Sequence, residues 1–215
     1  MSDPALFGAA YSVYVRSARL ALEEKGVRYT LEEVDVFAPG GPPVEYKARH
    51  PFGRIPAFEH DGFRLYETGA ITRYVDEAFA GPRLQPADPR RRACMNQVIS
   101  ILDNYAYRTL VWDIFVERVR APHRCRAPDE AKIAAALQPA ATCLGALESI
   151  MADSPYLAGH ALTLADLHAA PMFAYFAMTP EGTALLDRHP AVARWWEAMK
   201  ARPSMAATRP APCRA

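Results

Sequence analysis

The sequence has almost no net charge and very little lysine. Its formal net charge is +1, its pI is about 7.7, and lysine occurs only at positions 25, 47, 132 and 200. Nucleic-acid-binding domains usually carry a basic patch and a much higher pI, so this balance argues against DNA or RNA as a partner. The one basic run, Arg90 to Arg92, stands at a predicted helix start and is interpreted as a solvated face.

Cysteine is also scarce, and long apolar runs are absent. The four cysteines, at 94, 125, 143 and 213, form no C-x-x-C pair and have no metal-type spacing with the six histidines, so we expect neither disulfides nor a metal site. "MSDPALFGAA" lacks the segments of a signal peptide, and no apolar run approaches the roughly 20 residues that span a bilayer. These absences predict a cytoplasmic protein without a membrane partner.

The first eighty residues alternate between strand and helix patterns. The predicted elements are a strand at 4–8, a helix at 14–26, a strand at 29–36, a short helix at 44–49, a hairpin around Asp61-Gly62 and a helix at 67–80. This β-α-β-α-β-β-α order predicts an α/β domain, in which helices cover a mixed four-stranded sheet.

A linker rich in glycine and proline, "AGPRLQPADP", separates this part from one that is helical throughout. Apolar residues with helical spacing recur over 89–119, 129–152, 163–178 and 190–202, which predicts an all-α bundle. The predicted domains are residues 1–81, a linker at 82–89, a helical domain at 90–207 and a flexible tail at 208–215.

One local signal inside the helical part is specific. In "LTLADL", Thr163 and Asp166 have the spacing of a capping box, and Leu162 and Leu167 have that of a hydrophobic staple. We interpret this motif as a device for starting a helix, with no direct chemical role.

Taken together, the segments resemble the cytosolic glutathione S-transferases along nearly the whole chain. "PFGRIPAF" is similar to the family's cis-proline loop, "YETGAITRYVDE" to its Glu-Ser/Thr helix entry, and "SPYLAGHALTLADL" and "HPAVARWWEAMKARPS" to its C-terminal helices. "LFGAAYSVYVRSARLALEEKG" and "ETGAITRYV" are closest to the phi and theta-like serine-type classes. The resemblance implies a thioredoxin-like first domain, glutathione as co-substrate and no metal.

The resemblance gives Pro56 and its neighbours a role. By the sequence alone the Ile55-Pro56 bond is expected to be trans, since only about 5% of such bonds are cis in folded proteins. The resemblance implies a cis bond that frees the backbone of Ile55 to pair with the cysteinyl part of glutathione. Arg54, in the place of the family's usual glutamine, is assigned to the same loop. The alternative is a plain loop proline.

Glu67 and Thr68 stand where an apolar helical run begins. A helix N-terminus has free N–H groups and attracts a carboxylate, Thr68 adds a hydroxyl donor, and Glu67 can accept from an ammonium. Together they match the γ-glutamyl end of glutathione. The alternative is that either residue only caps the helix, and the two roles are compatible.

Ser12 matches the family's serine position, after the first strand. The resemblance implies that its hydroxyl donates a hydrogen bond to the glutathione sulfur, which favours the thiolate. The alternative is an ordinary N-cap, which Val15 at N3 does not reinforce with a capping box. Tyrosine-type relatives use a tyrosine at the end of the first strand, where this chain has Phe7 and Gly8, and cysteine-type relatives have cysteine in place of the serine.

One departure concerns the glycine carboxylate of glutathione. Phi-type enzymes hold it with a His-Lys pair, whereas the matching stretch here is "GGPPVEY", which has no base. Arg54, Lys47, Arg49 or His50 could compensate. Otherwise glutathione binds weakly, or the pocket takes another thiol.

The second substrate is expected to lie between the domains. Tyr11 and Tyr14 flank Ser12 and are candidates for contacting the sulfur or the second substrate. Tyr105, Tyr107 and Trp112 are candidates for lining the same pocket from the helical domain. Since aromatic residues at helical spacing are more often core, any one of these three has a structural alternative.

The leading hypothesis is a homodimeric glutathione transferase that acts in detoxification, with a Ser12-stabilised thiolate attacking a small hydrophobic electrophile. Phe52 is a candidate for insertion into the partner subunit, with a buried loop residue as the alternative. The competing hypotheses are a non-catalytic binding or scaffold protein of the same fold, and a glutathione-dependent peroxidase, isomerase or dehalogenase.

Overall fold

The structure is a computed structural model that describes residues 2–211. The chain forms two compact units. Unit 1 consists of the residues through Leu84 together with the C-terminal segment from Pro203 onward, and unit 2 consists of Gln85–Arg202. Unit 1 contains a mixed four-stranded sheet and unit 2 is helical, so the predicted fold class is confirmed.

Unit 1 is built around its sheet. In chain order its first elements are β1 (Ala5–Phe7), α1 (Val13–Glu24), β2 (Thr30–Glu32), a 3-10 helix (Val44–Ala48), β3 (Ala57–His60), β4 (Phe63–Tyr66) and α2 (Thr68–Ala78). The strand order is β2-β1-β3-β4. β1 pairs with β2 in parallel and with β3 antiparallel, and β3 and β4 form the predicted hairpin.

The ends of α1 are set by Ser12 and Gly26. Ser12 is the N-cap, and Gly26 stops the helix with a φ of +66°, a conformation that glycine adopts without steric cost. Val15, Ala18 and Leu22 are fully buried, so the predicted apolar face of the helix is the one that packs inward.

β2 is shorter than the strand predicted at 29–36. The chain leaves the sheet after Glu32, and Val34 is buried in a small apolar cluster with Tyr46 and Ala57. Ile55 packs against the same cluster. The loop after β2 is therefore held by side-chain burial instead of ladder hydrogen bonds.

A buried ion pair connects the C-terminal end of α1 to α2. Lys25 Nζ lies 3.2 Å from Asp76 Oδ1 and also donates to the carbonyls of Asp76 and Pro82. Asp76 Oδ1 accepts from the N–H of Leu84 at 2.8 Å. These bonds join the C-terminal ends of α1 and α2 to the segment 82–84, which follows α2.

Unit 2 is made of helices. They are α3 (Pro89–Ile101, continued by Leu102–Arg120 and Ala121–His123), α4 (Glu130–Met151), α5 (Leu164–Phe176), α6 (Pro180–Asp187) and α7 (Pro190–Lys200). The middle of α3 is wound more widely than an α-helix, since the N–H of Ala121 donates to the carbonyl of Val116 five residues earlier. α6 was not predicted; Thr179 caps its start and accepts from the N–H of Gly182.

The predicted capping box at the start of α5 is confirmed. Asp166 accepts from the N–H and hydroxyl of Thr163, and also from the N–H of Leu157 and the indole N–H of Trp195. Burial raises the pKa of the Asp166 carboxyl, and these hydrogen bonds act in the opposite direction. The carboxylate therefore joins α5, α7 and the loop before α5 at one buried point.

α4 corrects one expectation about apolar runs. Among residues 2–211, this helix is the one that is long and apolar enough to cross a membrane, with a mean hydropathy of 1.3 over its most apolar window. Within unit 2 it packs against the Leu102–Arg120 part of α3 through buried side chains such as Ile133, Leu144 and Leu147. The core helix of a helical bundle has the same length and composition, so its place in the bundle accounts for its apolar character.

The prediction assigned residues 203–207 to the helical domain at 90–207, but within residues 2–211 this stretch forms a final helix, α8 (Pro203–Ala207), that belongs to unit 1. It packs against α1 through buried Ser204 and Met205. Thr208 is fully buried, so the expected flexible tail does not begin at this residue. The final part of that tail, residues 212–215, lies outside the described residues.

Candidate functional site

The predicted site residues of unit 1 meet at one edge of the sheet. Phe7, at the end of β1, pairs with Ala57, at the start of β3, and Ala57 pairs with Tyr66, at the end of β4. The segments just outside these three residues are therefore neighbours: the turn into α1, the Ile55-Pro56 loop and the Glu67-Thr68 entry into α2. Strand register brings together groups that are up to sixty positions apart in the chain.

Gly8 shows how closely two of these segments approach. A Cβ atom at Gly8 would lie 2.4 Å from Cγ2 of Val15 and 3.1 Å from Cβ of Ile55. The first turn of α1 and the Ile55-Pro56 loop thus press on the backbone from two sides. Only a residue without a side chain fits there, and its φ is +153°.

The Ile55-Pro56 peptide bond is cis, as the resemblance implied. Within residues 2–211, no hydrogen bond reaches the backbone N–H or carbonyl of Ile55. The loop is held by the buried Tyr46, whose hydroxyl donates to the carbonyl of Arg54 at 2.8 Å. Burial raises the pKa of the Tyr46 phenol, which keeps the donor protonated. Sequence reasoning did not find Tyr46, because no local pattern connects it to this loop.

Glu67 has an unusual backbone conformation at the start of α2. Its φ and ψ are 71° and 117°, and its side chain does not cap the helix. The N–H groups of Thr68 and Gly69 and the hydroxyl of Thr68 have no hydrogen-bond partner within residues 2–211. A strained residue beside open donors is a common feature of ligand sites. The N-terminal end of α2 therefore combines the exposed carboxylate of Glu67 with several hydrogen-bond donors within one turn.

His50, one of the four candidate replacements for the missing base, lies in the same region. Its ring is buried, with a centroid 4.9 Å from that of Tyr66 and 6.2 Å from that of Phe52. Nδ1 has no hydrogen-bond partner in the part of the chain that the structure describes. Burial lowers the pKa of the imidazole; the carboxylate of Glu67 opposes this shift and the charge of Arg54 adds to it. The His50 imidazole therefore lies within electrostatic reach of both Glu67 and Arg54.

The candidate replacements for the missing base differ in availability. Arg49 is engaged, since its guanidinium lies 4.4 Å above the ring of Phe7 and 3.5 Å from Glu59. Arg54 and Lys47 are exposed, and their charged groups have no hydrogen bond or salt bridge within residues 2–211. Of these three basic residues, Arg54 and Lys47 therefore keep a charge that is available to a ligand.

Ser12 is half-buried and caps α1. Its Oγ accepts from the N–H of Val15 at 3.4 Å, so the N-cap interpretation is confirmed. An accepting oxygen keeps its own proton, so the hydroxyl can still donate to a ligand. The neighbouring Tyr11 donates its hydroxyl to Asp35 at 2.6 Å, and Tyr14 is half-buried. The phenol of Tyr11 is thus oriented by the loop after β2.

Tyr105, Tyr107 and Trp112 lie on α3 in unit 2. Tyr105 is 63% exposed and the other two are half-buried, so none of them is a core residue. Their assignment to a second-substrate pocket stays a prediction.

Comparison with known proteins agrees with this geometry. The family model for the glutathione S-transferase N-terminal domain matches residues 6–83, and the model for the C-terminal domain matches residues 102–203. A probable glutathione S-transferase of Oryza sativa subsp. japonica is 31% identical over 211 residues, which cover 95% of this chain and 94% of that protein.

Two solved structures illustrate the similarity in fold. A theta class glutathione S-transferase of Xanthomonas axonopodis pv. citri with glutathione bound has a TM-score of 0.79 and 29% identity, covering 97% of each chain. Glutathione S-transferase I from mais, in complex with an atrazine glutathione conjugate, has a TM-score of 0.84 and 26% identity, covering 96% of each chain.

Proposed function

The chain belongs to the glutathione S-transferase family, and from this premise we propose that unit 1 binds glutathione and transfers it to a small hydrophobic electrophile. The observation that carries the proposal is the meeting of three segments with unused polar groups at one sheet edge. They are the Ser12 cap, the cis Ile55-Pro56 loop and the Glu67-Thr68 helix start.

Each part of glutathione has a complementary group in this arrangement. The carboxylate of Glu67 accepts from the α-ammonium of the γ-glutamyl group, and the donors at Thr68 bind its carboxylate. The backbone of Ile55 pairs with the cysteinyl residue as an added strand. Arg54, with Lys47 nearby in sequence, supplies positive charge for the glycine carboxylate.

Ser12 acts on the sulfur. A free thiol with a pKa of about 8.5 is mostly protonated near pH 7, so a transferase has to favour the thiolate. The Ser12 hydroxyl, at the positive end of α1, donates to the sulfur while its oxygen accepts from Val15. The thiolate then attacks the electrophilic carbon, the leaving group departs with the electron pair of the broken bond, and the thiol proton is lost to solvent.

Binding and thiol ionisation measured separately test this function. Calorimetry with glutathione and the ultraviolet absorbance of the thiolate would be compared for wild type, Ser12→Ala, Glu67→Ala and Tyr11→Phe. We expect Glu67→Ala to lose most binding, and Ser12→Ala to bind but lose the thiolate signal. Tyr11→Phe is the matched hydroxyl control and should keep the signal, because its phenol faces Asp35. A wild type that does not bind glutathione contradicts the proposal.

Turnover separates the transferase from its alternatives. Wild type should conjugate chlorodinitrobenzene, and an atrazine-type chlorotriazine is a second electrophile suggested by the similar protein from mais. Binding of glutathione without turnover of any electrophile favours a scaffold protein. Reduction of a hydroperoxide in place of conjugation favours a peroxidase.

Assembly as a cytoplasmic homodimer is part of the same proposal. Phe52 is 70% exposed and contacts Tyr66 edge to face, so a large apolar side chain faces outward in the single chain. Sedimentation of wild type and Phe52→Ala tests this: the variant should dissociate at higher concentration than wild type, and an unchanged dimer removes Phe52 from the role.

A further inference from the structure

The C-terminal segment of unit 1 is bonded to α1 by two arginines. Arg16 is buried, and its guanidinium donates to the carbonyl of Met205 at 2.9 Å and to the hydroxyl of Thr208 at 3.3 Å. Arg19 donates to the carbonyls of Ala207 and Thr208, both at 3.2 Å. The last carbonyls of a helix lack partners within it, and these side chains supply them for α8.

A third contact extends the attachment to the other end of α1. The hydroxyl of Ser204 donates to Glu24, the last residue of the helix. Arg16 and Arg19 are three positions apart, and Glu24 follows Arg16 by eight, so the three side chains share one face. The segment from Ser204 to Thr208, which we call the clasp, is therefore bonded to α1 at positions from Arg16 to Glu24.

The clasp reaches the helix one turn after Ser12. The N–H of Arg16 donates to the carbonyl of Ser12 at 2.9 Å, which makes these two residues a single hydrogen-bonded turn. On its other side the same turn presses on Gly8 through the buried side chain of Val15. The position of Ser12 is thus set between the sheet edge on one side and the clasp on the other.

We propose that the clasp is a positioning device for Ser12, with Arg16 and Thr208 as its positioning residues. The inference rests on the proposed function, in which the Ser12 hydroxyl donates to the glutathione sulfur. Groups of this kind have to be held within about 0.5 Å of their working geometry, and a displacement of about 1 Å can cost on the order of 100-fold in rate. Loosening the clasp lets the first turn of α1 move.

Two disruptive variants and one conservative variant test the clasp in the full-length protein. Thr208→Val keeps the shape but removes the acceptor for Arg16, whereas Thr208→Ser keeps the hydroxyl. Arg16→Lys keeps the charge but loses the planar fork that reaches two acceptors. Arg28→Lys is the matched control, since its side chain is 89% exposed on unit 1.

The readouts are the glutathione affinity, the pH titration of the bound thiolate and the melting temperature. We expect Thr208→Val and Arg16→Lys to lower the thiolate-to-thiol ratio of bound glutathione near pH 7 by about 3- to 10-fold, a tenfold change in this ratio corresponding to about one pKa unit. Their affinity for glutathione should change by less than about threefold, since the Ile55 and Glu67 contacts remain. Thr208→Ser and Arg28→Lys should match wild type.

Other outcomes overturn the inference. If the two variants melt lower but titrate like wild type, the clasp is structural only. If Ser12→Ala loses the thiolate while the clasp variants keep it, the proposed function stands and the clasp inference fails. If wild type itself forms no thiolate when glutathione is bound, the proposed function fails, and the clasp inference fails with it.

Discussion

Replacing Gly8 by alanine tests whether the close approach at the end of β1 builds the glutathione site. The new Cβ would lie 2.4 Å from Val15 Cγ2, whereas ordinary contacts begin near 3.4 Å, so the two groups have to separate by about 1 Å. The atoms able to move belong to the first turn of α1, which carries Ser12, and to the Ile55 loop, which lies 3.1 Å away.

The expected cost has a backbone part and a packing part. A non-glycine residue with a φ near +153° costs about 1–3 kcal/mol, and overpacking of a tight contact costs about 1–3 kcal/mol. We therefore expect Gly8→Ala to lower the free energy of unfolding by about 2–6 kcal/mol. A shift of about 1 Å at the site should weaken glutathione binding by about 10- to 100-fold in protein that remains folded.

Two further variants make the reasoning specific. Gly26→Ala is the matched control: its φ is +66°, but a Cβ there meets nothing within 4 Å among residues 2–211, so it carries the backbone cost alone. We expect a smaller loss of stability, about 1–2 kcal/mol, and unchanged affinity. Val15→Ala removes the clashing Cγ2, so the double variant Gly8→Ala/Val15→Ala should bind glutathione better than Gly8→Ala alone.

The assays are urea unfolding and calorimetry with glutathione. The calorimetry is done at a temperature where the measured free energy of unfolding shows that roughly nine-tenths or more of each variant is folded. Wild-type affinity in folded Gly8→Ala would refute the reasoning, because it would mean that the contact at Gly8 supports the fold without shaping the site. Equal losses of affinity in Gly8→Ala and Gly26→Ala would refute it as well, by assigning the effect to backbone strain.

Two other predictions concern buried charge. Asp76→Asn leaves Lys25 buried without its carboxylate and should lower the free energy of unfolding by about 3–5 kcal/mol in urea; a loss below about 1 kcal/mol would contradict the buried ion pair, and the double variant with Lys25→Met should recover part of the loss. His50 has a folded-state pKa below its unfolded value of about 6.5, so its contribution to stability is complete above that pH and is lost as the pH falls through the folded-state pKa. The melting temperature of His50→Gln should therefore fall less steeply than that of wild type as the pH is lowered below about 6.5. The same pH dependence in both proteins would show that burial does not disfavour protonation of the imidazole.

The order of elements could be predicted from the sequence because it depends on local chemistry. Hydrophobic periodicity located the helices, Asp61-Gly62 located the hairpin, and the Thr163–Asp166 spacing located the start of α5. The short helices α6 and α8 were missed, since five to eight residues are too few to establish a helical period. β2 was predicted too long, because the apolar residues beyond Glu32 pack into a cluster instead of pairing.

The candidate site was predictable only in part. Ser12, Pro56, Glu67 and Thr68 were chosen by resemblance, and the strand register places them at one edge of the sheet. Arg49 could equally have been the missing base by sequence, but the structure engages it with Phe7 and Glu59. The engagement depends on residues that are far away in the chain, so no local pattern could have revealed it.

The sequence by itself determined the order of the strands and of the longer helices, the mixed sheet and the helical second part, because these depend on residue spacing and turn chemistry over a few positions. It also indicated the family, through the resemblance of whole segments. Only the tertiary structure decided that His50 is buried, that the phenol of Tyr11 faces Asp35, and that the segment around Thr208 is attached to α1. These facts arise from contacts between side chains tens to nearly two hundred positions apart. Such contacts are chosen by how the whole chain minimises unpaired polar groups and buries apolar surface, so they exist only once the fold is complete.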